Sequence, residues 1–139
     1  MAKVKPLDFL VVTGTRRSTD RTYSMCRELC NQYGSPHTLL VVGGAPGVDT
    51  AMENGWRGHS FPVYSPMAPW RECEQAWGRD AAKIAGPMRN GAIAGAVAVM
   101  LEKGKRGLGI ALPDAQSRGT HDCISRLRAV GLKVEVRTV

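Results

Sequence analysis

Aromatic residues are scarce in this chain of 139 residues, at 6%, and only two are phenylalanine. Its interior must therefore be filled mainly by aliphatic side chains. Acidic residues are also in deficit: 12 Asp and Glu stand against 19 Lys and Arg, for a net charge of +7. The four cysteines, Cys26, Cys30, Cys73 and Cys123, form no Cys-x-x-Cys pair, and His37, His59 and His121 are scattered. No zinc-type cluster follows, so no metal site is expected and buried free thiols are. The longest unbroken apolar runs cover residues 9–12, 39–42 and 96–101, well short of the roughly 18 needed to cross a bilayer. The opening Met-Ala-Lys-Val-Lys-Pro leads into a strand-like run without a signal-type segment. A cytoplasmic protein with no membrane partner is expected. There is no Gly-x-x-x-x-Gly-Lys-Ser/Thr, no Gly-x-Gly-x-x-Gly after the first apolar run, and no Gly-x-Ser-x-Gly. P-loop hydrolysis, a standard NAD site and a serine-hydrolase elbow are unsupported, and no cofactor is expected.

What is present is a globular composition, with 43% apolar and 22% charged residues, and a length that fits one domain over residues 1–139. Short apolar β-type runs alternate with helical stripes. That alternation predicts an α/β, Rossmann-like domain: a mostly parallel five-stranded sheet flanked by helices on both faces. Strands are expected at residues 8–13, 38–42, 61–64, 97–101 and 133–137. Helices are expected at 21–33, 49–56, 69–85, 88–94 and 120–130. In the first helix Cys26, Leu29, Cys30 and Tyr33 share a face, Thr19 or Asp20 caps the start and Gly34 ends it. Trp70, Cys73, Trp77, Ala81 and Ile84 are expected to face inward from the long helix, which Gly86-Pro87 should break. Residues 102–118 are glycine-rich and basic. They predict a loop, with an apolar island at 108–112 that has room for an extra short strand.

Four turns carry residues suited to an anionic guest. Gly14, Thr15 and Arg16 follow the first strand, where a hydroxyl and a guanidinium can meet a phosphate. Gly43, Gly44, Ala45, Gly47, Val48 and Asp49 follow the second. Glycines there allow close backbone approach, and Asp49 suits a helix cap or a hydroxyl acceptor better than a phosphate contact. Arg89 and Asn90 follow the expected helix break. Ser117, Gly119 and Thr120 open the last helix, with Thr120 as its expected cap and Asp122 in its first turn. Each turn also has a plainer reading, as a capped βα connection or a solvated surface charge. Arg outnumbers Lys 13 to 6, and arginine favours forked phosphate contacts. A solubilising surplus would look the same.

Taken together, Gly14-Thr15-Arg16, Gly43-Gly44-Ala45-x-Gly47-Val48-Asp49, Gly86-Pro87-x-Arg89-Asn90 and Ser117-x-Gly119-Thr120 resemble the SLOG superfamily. That superfamily unites the DNA-processing protein A and Lonely-guy Rossmann-like domains; the YspA/YpsA-related branch is the most similar. The resemblance implies a pocket for a nucleotide or nucleotide-derived ligand, lined by those turns, and a homo-oligomer. Lonely-guy members are phosphoribohydrolases whose Pro-Gly-Gly-x-Gly-Thr-x-x-Glu motif carries a catalytic Glu. Here that position is Cys123, and Asp122 lies one residue early, about 100° around the helix. The first functional reading is therefore a sensor or sequestering protein for a phosphorylated, ribose-containing ligand, of the kind some phage counter-defence sponges represent. An N-glycosidic hydrolase acting on nucleoside monophosphates is the alternative, with Asp49 or Asp122 stabilising oxocarbenium-like charge. Single-stranded nucleic-acid binding ranks third, because Trp70 and Trp77 are expected to be buried and unavailable to bases.

Overall fold

A computed structural model describes residues 6–114 and 117–138. At its centre lies β1 (Phe9–Gly14), a continuous apolar strand of the kind buried on both faces of a parallel sheet. It bonds β2 (Leu39–Val41) along one edge and β4 (Gly107–Leu112) along the other, both in parallel. The two-residue β3 (Val63–Tyr64) adds beyond β2, and β5 (Val134–Val136) beyond β4. The order β3-β2-β1-β4-β5 makes an all-parallel, five-stranded Rossmann-like sheet. The strand order reverses between β1 and β4, the position where such sheets open a crevice at their carboxyl ends.

Alternation along β1 divides the core between the two faces. Leu10 and Val12 point toward α1 (Asp20–Tyr33) and α2 (Val48–Gly58), and pack with Cys26, Leu29, Met52 and Trp56. Phe9 and Val11 point toward α4 (Ala81–Glu102) and α5 (Arg118–Ala129), and pack with Ile93, Val97, Cys123, Ile124 and Leu127. The short α3 (Trp70–Trp77) leans on the start of α4 through Cys73 and Ala85. Thr19 caps α1 as expected: its hydroxyl accepts from the Thr22 amide at 3.2 Å while the Thr22 hydroxyl answers the Thr19 amide at 2.7 Å.

The second half departs from expectation. Residues 97–101 are helical and belong to α4; the fourth strand is instead the apolar island inside the expected loop. An apolar run of this length suits a strand or a buried helix turn equally. Here Ile93, Val97 and Leu101 continue one helical face. Gly86-Pro87 does not break the helix, and Pro87 lies within α4. The break falls earlier, at Gly78, whose φ of 57° ends α3 ahead of a 3-10 turn at Gly78–Asp80. Trp70 and Trp77 do not face the core: they are 39% and 55% exposed. The segment Lys83–Glu102 is long and apolar enough to cross a bilayer, with a mean hydropathy of 1.3. Its inner face packs against α5 and the sheet. Ala115 and Gln116, within the expected loop, lie outside the described residues.

Candidate functional site

At the reversal point the carboxyl ends of β1 and β4, the turn before α2 and the start of α5 enclose a cavity of ≈ 320 Å³. Gly14, Thr15 and Arg16, then Ala45 and Asp49, then Arg89, then Ser117, Gly119 and Thr120 all reach it. All four turns thus contribute, although they are separated by up to a hundred residues of chain. Thr13, Arg17, Asp114 and Arg118 also line it and were not anticipated. Four arginines therefore face two aspartates, so the cavity prefers an anion. The first turn of α5 adds to this. Among the described residues no side chain caps it, so the positive end of the helix dipole adds to that preference.

Backbone constraints hold the walls. Gly47 sits at φ 86°, ψ −124°, open only to glycine, and caps α2. A Cβ there would run into the Thr15 carbonyl oxygen and stand 2.6 Å from the Arg16 carbonyl carbon. This close approach brings the Val48 amide onto the Thr15 carbonyl at 3.1 Å. The Arg16 turn and the Asp49 turn are thereby locked side by side.

Asp49 differs from expectation. It is not the cap of α2 but lies in its first turn, only 4% exposed. Its Oδ2 accepts from the amides of Gly43 at 3.1 Å and Ala45 at 3.3 Å. Its Oδ1 has no hydrogen-bond partner among the described residues, and neither does the buried Nε of Arg89. A Cβ on residue 43 would sit 2.9 Å from both Arg89 Nε and Asp49 Oδ2, so the two side chains flank Gly43. Burial pushes the Asp49 carboxyl up to about 6; the Ala45 amide, Arg89, the Gly43 amide and Arg16 all pull the other way.

Other expected residues take different places. The Thr15 hydroxyl is not held ready for a phosphate: it donates to Asp114 Oδ2 at 2.6 Å. Ser117 likewise donates to Asp114 Oδ1 at 2.8 Å. Asp114 is thus a brace between the ends of β1 and α5. Asn90 turns away from the cavity and donates to the Gly119 carbonyl at 3.1 Å and to Asp122 at 3.0 Å, tying α4 to α5. Thr120 is buried within α5 and does not cap it; Ser117 occupies that position. Val48 is core, and Gly44 and Gly47 line a second cleft beside Tyr23 and Asn54. Asp122 pairs with Arg126 at 2.9 Å and is not among the residues that line the cavity. Cys123 is 1% exposed, and burial pushes its thiol up to about 11. It cannot stand in for a carboxylate. No group of three or more His, Cys, Asp or Glu among the described residues is arranged to hold a metal ion.

No protein-family model matches the chain, and no curated protein matches it. Two solved structures share its fold. One is DNA processing protein A from Streptococcus pneumoniae: TM-score 0.51, 16% identity, covering 93% of this chain and 58% of that one. The other is DNA processing protein A from Helicobacter pylori, described for its single-stranded DNA binding mode: TM-score 0.60, 18% identity, covering 94% of this chain and 65% of that one. The chain thus spans less than two thirds of either neighbour. The likeness is one of fold alone.

Proposed function

We propose that this chain is a YspA/YpsA-type SLOG domain that binds a nucleotide or nucleotide-derived ligand as a sensor or sequestering protein. The observation that carries this reading is the convergence of Arg16, Arg17, Arg89 and Arg118 with the uncapped start of α5 on one cavity at the sheet's reversal point. A helix N-terminus contributes about 0.3–1 kcal/mol toward an anion. Each charge-assisted hydrogen bond contributes about 1.5–3 kcal/mol. Three arginine contacts with the helix end sum to about 5–10 kcal/mol, a range that contains the roughly 8 kcal/mol of micromolar affinity. Binding is favoured over N-glycosidic cleavage because the second carboxylate of the cavity, Asp114, has both oxygens engaged by Thr15 and Ser117, Asp122 is paired with Arg126 and Cys123 is a buried thiol.

Calorimetric titration with the four ribonucleoside 5′-monophosphates tests the proposal. At least one should bind in the micromolar range, and Arg89→Ala should weaken it by about 1.5–3 kcal/mol with little change in melting temperature. Absence of binding by all four at millimolar concentration would reject it.

One observation favours a second reading, single-stranded nucleic-acid binding. Trp70 and Trp77 are exposed and so are available to stack on bases, and the H. pylori neighbour binds single-stranded DNA.

A further inference from the structure

Resting on the nucleotide-binding reading, we infer that Asp49 and Arg89 hold a free ribose hydroxyl at the floor of the cavity, so that the guest is a ribonucleotide rather than a strand of DNA. Among the described residues two buried atoms on that lining lack partners: the acceptor Asp49 Oδ1 and the donor Arg89 Nε. Their side chains flank the same glycine. Native structures seldom leave such groups unpaired, and an orphan at a site's floor marks the place a guest completes. The chemistry of the pair selects that guest. A phosphate oxygen only accepts and is repelled by the carboxylate. A base N–H would satisfy Asp49 but not Arg89. A hydroxyl donates to Oδ1 and accepts from Nε through one oxygen.

Placement agrees with this selection. Arg16, Arg17 and Arg118 are exposed at the mouth, where the α5 start also lies, whereas Asp49 is 4% exposed beneath them. A phosphorylated ribose fits with its phosphate at the mouth and its hydroxyl face inward. In DNA the 2′ position carries no hydroxyl and the internal 3′ oxygens are esterified, so no internal sugar offers that group.

The test compares the tightest-binding ribonucleoside 5′-monophosphate with its 2′,3′-dideoxy counterpart by calorimetry. The dideoxy compound should bind about 10- to 100-fold more weakly, the range expected for a hydrogen bond to a charged group. In Asp49→Asn the amide oxygen can keep the Gly43 and Ala45 bonds, while a nitrogen that cannot accept replaces Oδ1. There only the Arg89 donor is left for the hydroxyl, so the gap between the two compounds should be at least about threefold smaller than in wild type, with melting confirming the fold. Equal affinities in the wild-type protein overturn the inference and leave nucleotide binding standing. No binding by any monophosphate overturns both.

Discussion

A buried carboxylate is unfavourable unless its charge is matched, and Asp49 is matched only in part. Two amides hold one oxygen and the other is bare. Burial raises its pKa from 3.8 to about 6, so the folded protein holds this proton more tightly than the unfolded chain does. Stability is therefore greatest below the unfolded value and falls as pH climbs through the folded one, then levels off. The fall is on the order of 3 kcal/mol. Asp49→Asn has no charge to bury. Without ligand it should be more stable than wild type above about pH 6 and should lose that advantage toward pH 3.8. Urea denaturation across that range measures the gap; a gap that does not vary with pH would refute the assignment. The residue is thus retained at a cost to stability, as expected of a group that serves a guest.

At the scale of elements, the βα turns do the positioning. Gly47 joins two of them, and Gly47→Ala forces a side chain into a conformation open to glycine and against the Thr15 carbonyl. The conformation alone costs about 1–3 kcal/mol, and the overlap adds to it. Chemical denaturation should show at least that loss. Ligand affinity should fall with it, because the Arg16 turn must move aside. The first half of the chain was legible for physical reasons: β1 is a bare apolar run and α1 opens on Thr19 with a clear apolar stripe. The second half hid its fourth strand. Gly107 and Gly109 read as loop, yet at those positions a side chain would collide with Phe9 or Val134. Misplacing β4 also hid Asp114, which follows that strand's carboxyl end. The glycine turns pointed to Arg16, Asp49 and Arg89, but only tertiary structure shows that Asn90 serves packing and that Thr15 and Ser117 spend their hydrogens on Asp114. The tryptophans were misread because an apolar stripe on a short helix does not reveal how far it reaches beyond the sheet.

The whole molecule carries +7, and that surplus separates the two functional readings. Single-stranded DNA held by several phosphates loses affinity steeply with salt, with a log–log slope near −0.7 per neutralised phosphate. A lone monophosphate changes only severalfold over the same range. Titrations from about 50 to 200 mM salt are expected to give the shallow response, with the fluorescence of Trp70 and Trp77 undisturbed by oligonucleotide. A steep slope with quenching would transfer the assignment to nucleic acid.

The pairing of β1 with β4 has a consequence for how the molecule is made. Phe9 must wait for Gly107 to complete its ladder, and at about 5–20 residues per second translation of the intervening chain takes roughly 5–20 s. Throughout that interval the nascent polypeptide displays one naked edge of its central strand. That bare margin is where a chaperone would engage the growing chain, and where two unfinished copies on neighbouring ribosomes would stick.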